Sequence, residues 1–310
     1  MHDPLTELAT VPAVPLHPDV VVTRHPLARV ITDLLAIPDA ALERRWTWLP
    51  SDIDEIDVRY GIYRIHESLE SASAAITYGQ GDGASQRLGP AVPALQAMAV
   101  ARWELHGVLG PLSDADWDAD PGADEWTVRQ TVGHIIGSQR SYGWSNAWFL
   151  SQGSRTGEAI RAPAGTLPEE PPEDEEAAGR TAEVRARLDD VVDANIAASA
   201  ALDGDDLRVG ARWAGMHVPI DFRLGRYGSH IREHTVQVDK TLAMTGRQPT
   251  EVERICRLVL GSYGRLEALF VGLTAHEAER PLADGRSAIS ILRATIEDAA
   301  ATATDVRAAI

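Results

Sequence analysis

Cysteine is nearly absent: the 310 residues contain one, Cys256. That excludes an internal disulfide and any zinc cage built on cysteine. Its setting, "ERICRLVLGSYGRL", puts the thiol on an apolar helical face, where a buried structural thiol is expected in preference to a reactive one. No run approaches the ~20 apolar residues that cross a bilayer. The opening "MHDPLTELATVPAVPLHPD" has neither the basic end nor the apolar centre of a secretory signal, so a soluble, cytoplasmic protein without a membrane partner is expected. Basic residues are also scarce, 29 Lys+Arg against 46 Asp+Glu, giving a formal charge of −17. Such a surface repels phosphate backbones, which argues against nucleic acid as a partner. A G-x-S-x-G elbow is missing, as are the paired Glu-x-x-His motifs of di-iron bundles.

What the sequence does have is helical period almost everywhere, with few alternating runs, and an all-α fold follows. The pattern predicts helices near 27–36, 52–77, 88–110, 125–151, 175–201, 221–245, 250–272 and 286–308, each bounded by Pro, Gly, Ser or Asp. Between the fourth and fifth, "SRTGEAIRAPAGTLPEEPPEDEEAAGR" is too rich in proline and acid to form a core and reads as a long crossover loop. The glycines of "YGQGDGASQRLGP" (78–90) follow no strand, so they do not read as a phosphate cradle. An echo runs through "LLAIPDAALERRW", "LGPLSDADWDADP" and "VGLTAHEAERPL". Each leaves an apolar helix by an acidic turn and leads into another helix, a pattern that three helix–turn–helix units or ordinary acidic N-cap turns would both produce.

In "RYGSHIREHTVQVDKTL" (226–242), His230 and His234 stand four apart on one side of a helix. A solvated or internally satisfied pair is one account. Two ligands of a single metal ion is the other, and it requires a third ligand from elsewhere. His134, in "GADEWTVRQTVGHIIGSQRSYGWSNAWFL", can supply it. Its helix carries an apolar stripe of Val128, Val132, Ile135 and Tyr142, and on the histidine side a seam of Thr127, Thr131, Ser138, Ser141 and Ser145 that leaves room for a site. On the later helix Ile220, Leu224, Tyr227, Ile231, Val238 and Leu242 form the core stripe, with the His pair on its shoulder and Arg223, Arg226 and Gln237 nearby. Three neutral imidazoles with open coordination positions suit zinc, with nickel or iron as alternatives. Arg223, Arg226 and Tyr142 are candidate contacts for a substrate, the arginines for an anionic group, although solvated surface arginines fit the same pattern. Glu233 points about 100° away from His234 and is not counted as a ligand. His66 and Glu70 read as a helical salt-bridge pair. His217 can approach the site from the loop before its helix.

These residues resemble the DinB-like superfamily, which includes the DinB proteins, the mycothiol-dependent maleylpyruvate isomerases and the bacillithiol and mycothiol S-transferases. The likeness rests on "EWTVRQTVGHI", on "HIREHTVQVDKTL" and on the lead "LSDADWDADPGADEW", and it covers about residues 88–247. It implies a four-helix bundle with a long crossover after its second helix and a divalent metal on His134, His230 and His234. It further implies a low-molecular-weight thiol, mycothiol-like, that attacks a small-molecule electrophile. Such an enzyme would be a bacterial thiol S-transferase or isomerase-like protein. The non-catalytic alternative is a metal-binding stress or binding protein, and a hydrolase activating water is another. Residues 1–87 and 248–310 fall outside the likeness; they are expected to be helical hairpins that pack together as a second, metal-free bundle beside residues 88–247. Either a monomer or a homodimer is compatible with the sequence.

Overall fold

The computed structural model describes residues 3–47, 55–80 and 88–310. The long helices are α2 (Pro18–Leu35), α3 (Val58–Gln80), α4 (Val92–Leu109), α6 (Val128–Gln152), α8 (Thr181–Ser199), α10 (Ile220–Met244), α11 (Glu251–Ala268) and α13 (Ala288–Ala308). Short helices α1 (Pro4–Glu7), α5 (Asp114–Asp118), α7 (Glu173–Glu176), α9 (Gly204–Leu207) and α12 (Ala275–Glu279) lie between or before them. Among the described residues the fold is all-α apart from two small antiparallel strand pairs, β1 (Arg45–Trp46) with β2 (Ile56–Asp57), and β3 (Gly210–Trp213) with β4 (Met216–Pro219).

Local chemistry sets many of the helix starts. Capping boxes open α6 (Thr127 with Gln130), α11 (Thr250 with Glu253) and α13 (Ser287 with Ser290), satisfying backbone N–H groups that the first turn leaves without partners. Gly153, at φ 60°, ends α6 in the left-handed conformation that favours glycine. The predicted first helix, 27–36, begins nine residues too late. The His17 ring caps Asp19 N, Pro18 occupies the first turn, and Pro26 sits inside the helix without ending it. The bond that Pro26 cannot donate would have gone to Val22, on a solvent-facing turn. The predicted 175–201 helix is two pieces, because Gly179 at φ 96° separates α7 from α8. The β3–β4 hairpin was not predicted: its turn is Ala214–Gly215, both at positive φ, and an alanine there does not announce such a turn. Part of the 52–77 helix and of the 78–90 loop lies outside the described residues.

α4, α10, α6 and α8 pack in that cyclic order as a four-helix bundle, with residues 153–180 crossing between α6 and α8. α2, α3, α11 and α13 pack on one another, and α11 lies along α4. One continuous apolar core runs through both groups, and all six stripe residues of α10 are buried in it. The crossover is not a bare loop. Ala159, Glu176 and Ala177 are buried, and Arg140 of α6 donates to both Glu176 carboxylate oxygens at 2.7 and 2.9 Å. α7 comes this close because α6 has glycine at 133, where a Cβ would stand 2.4 Å from the Glu173 carbonyl oxygen.

Candidate metal centre

α6 and α10 face each other in the bundle and bring His134 against His230 and His234. One ligand atom from each ring can be chosen so that all three lie within 4.8 Å of one another. The Nε2 atoms of His230 and His234 are 3.1 Å apart, and the ring centroids of His134 lie 5.3 and 4.7 Å from those of the pair. Two nitrogens held by one tetrahedral zinc at about 2.0–2.1 Å stand about 3.3 Å apart, so the pair's spacing fits a shared ion.

The outer nitrogens support the same orientation. His134 Nδ1 is 2.7 Å from Glu173 Oε1, and His234 Nδ1 is 2.7 Å from Gln237 Oε1. With each oxygen accepting the Nδ1 proton, the tautomer keeps its lone pair on Nε2, where Ser138 Oγ lies 3.4 Å from His134. His230 is only 6% exposed and its Nδ1 has no partner. Burial pushes its pKa down to about 3, aided by the neighbouring His234 and His134 rings; burial lowers His234 as well. A neutral imidazole is the form that ligates. Trp126, from the lead into α6, packs its ring 5.0 Å from that of His134, and Tyr142 presents an edge to His230 at 5.3 Å.

The other residues singled out in the sequence have different fates. Arg226 forms a two-point pair with Glu233 at 2.6 and 2.8 Å and stacks on Trp213, so its charge is already matched. Glu233 is turned to that arginine, whose hydrogen bond lowers its pKa. Arg223 is buried and donates to Asn146 Oδ1, Ser145 Oγ and the Arg212 carbonyl. Burial raises the Tyr142 pKa. His66 and Glu70 do not make the expected pair with each other. His66 meets Ser262 at 2.6 Å and Glu70 pairs with Arg265, because α11 packs against α3 and offers both partners. His217 lies on β4 with Nε2 3.4 Å from Arg212, outside the histidine cluster. Cys256 is buried, and desolvation pushes its thiol up to about 12. Glu173 was not anticipated: it is one acid in a run of acids, and nothing in that run marks which one turns back to α6.

No curated protein and no solved structure matches the chain. The family model of the DinB superfamily matches residues 97–238, a span that holds all three histidines and most of the four-helix bundle. Through this central segment, the chain is similar to the DinB superfamily.

Proposed function

We propose that His134, His230 and His234 hold one divalent cation, zinc before nickel or iron, and that the protein is a metal-dependent transferase. It delivers a low-molecular-weight thiol, mycothiol-like, to a small electrophile. The observation that carries this reading is the convergence of three imidazole nitrogens within 4.8 Å, two of them with the opposite nitrogen bound to an oxygen acceptor. A cation at such a site lowers the pKa of a coordinated thiol or water, so that a nucleophile is present at neutral pH.

The chain's own residues supply the rest. Glu173 and Gln237 orient two of the rings, and the Trp126 and Tyr142 rings pack beside the cluster and shield it. The thiol must come from outside, because Cys256 is buried on α11 with its ionisation suppressed. Turnover of a generic electrophile such as 1-chloro-2,4-dinitrobenzene should therefore require both metal and added thiol, and should survive Cys256→Ser. Assaying metal-loaded protein with a panel of cellular thiols tests this. Full turnover with metal and no thiol would replace the transferase with a hydrolase, and none with any thiol would leave a binding protein.

A further inference from the structure

Arg223 is only 6% exposed, yet every hydrogen-bond acceptor it meets is neutral: Asn146 Oδ1, Ser145 Oγ and the Arg212 carbonyl. The rings of Tyr142, Phe149 and Trp213 surround its Cζ at 5.9, 5.4 and 5.8 Å. Aromatic faces stabilise a cation by about 0.5–2 kcal/mol, which does not replace a counter-ion for a buried charge. Desolvation lowers its pKa, and no carboxylate opposes that effect.

Two further guanidiniums without a carboxylate partner lie beside it, Arg212 half-buried and Arg161 exposed. Arg212 meets only the Ala159 and Gly215 carbonyls and His217, and its Nε is buried without a partner. Arg161 makes no hydrogen bond or ion pair with the described residues. All three line one cleft of about 190 Å³, walled on its apolar side by Trp148 and Phe149. In a chain of net charge −17, one cleft gathers three arginines without a carboxylate partner, and the buried Arg223 among them is short of an anion.

We infer that this cleft binds the carboxylate of a small organic acid, its apolar body lying against Trp148 and Phe149. A guanidinium has five N–H donors, and Arg223 spends three on the protein, so two remain for the two oxygens of a carboxylate. Arg161 and Arg212 add charge. The cleft lies about two turns along α10 from His230, with Tyr142 in contact with both, and it stands whether or not the histidines hold a metal.

Isothermal titration calorimetry of the full chain with benzoate, benzamide and inorganic phosphate tests the inference. Benzoate should bind at least tenfold more tightly than its neutral analogue benzamide, and more tightly than phosphate. Arg161→Ala, which removes no hydrogen bond or ion pair with the described residues, should weaken benzoate about tenfold, and Arg223→Lys should do so more strongly, as expected for the loss of hydrogen bonds to a charged group. His230→Ala should leave benzoate binding unchanged. Equal binding of benzoate and benzamide, no effect of Arg161→Ala together with Arg223→Lys, tighter binding of phosphate, or loss of benzoate in His230→Ala would each overturn it; the last would move the carboxylate to the histidines.

Discussion

The three histidines differ in their support, and the difference has a measurable consequence. His134 and His234 are each held through Nδ1, whereas His230 is buried with Nδ1 unpartnered. The folded protein keeps His230 and His234 neutral below the pH at which an unfolded chain would protonate them, about 6.5. Their folded pKa values are depressed, so their contribution to stability is fully present above pH 6.5 and is lost as pH falls, for His230 toward about 3. Metal-free protein should therefore lose thermal stability between about pH 6.5 and 5.5, above the range in which ordinary carboxylates titrate. A thermal denaturation series on chelated protein checks this, with His230→Asn expected to flatten the slope. An equal slope in that variant would place the titration elsewhere.

At the scale of elements, the crossover matters as much as the bundle helices. α7 carries Glu173 to His134, and Gly133 is what lets α7 sit there. Gly133→Ala would push a methyl against the Glu173 carbonyl and Ala177 Cβ, costing about 1–3 kcal/mol by overpacking. It should also weaken metal binding about tenfold by loosening the Glu173–His134 bond, measurable by chelator competition. Unchanged metal affinity would show that Glu173 does not support the site. Much of this level was legible in the sequence. The apolar stripes and the Pro, Gly, Ser and Asp bounds give α4, α6, α10, α11 and α13 within about four residues, and the i, i+4 spacing puts His230 and His234 together. What could not be read was set by tertiary contact: which acid of the crossover reaches α6, which partners on α11 take His66 and Glu70, and that Ala214–Gly215 closes a hairpin. Pro26 misled for a local reason, since a proline inside a helix is tolerated where the lost bond faces solvent.

At the scale of the whole molecule, a buried ionic cluster joins the two groups of helices. Arg102 of α4 and Glu267 of α11 are both fully buried and paired with each other. Arg24 of α2 bonds both Glu267 and Asp193 of α8, Arg102 also meets Asp193, and His106 meets Asp189 at 2.9 Å. Trp103 donates its indole N–H to Glu267 at 2.9 Å. Removing one partner leaves buried charge uncompensated, so Glu267→Ala should cost about 3–5 kcal/mol in denaturant unfolding. Because the cluster ties helices from both groups, the loss should appear in a single transition. Two separate transitions, only one of them shifted, would show that the groups fold independently.

The most direct test of the account is the metal content of protein purified without a His-tag. Elemental analysis should find close to one divalent ion per chain, falling sharply in His230→Ala while circular dichroism stays helical. A folded wild-type protein that binds no divalent ion even when one is supplied, or a His230→Ala variant that keeps its full complement, would contradict a metal centre on these three histidines.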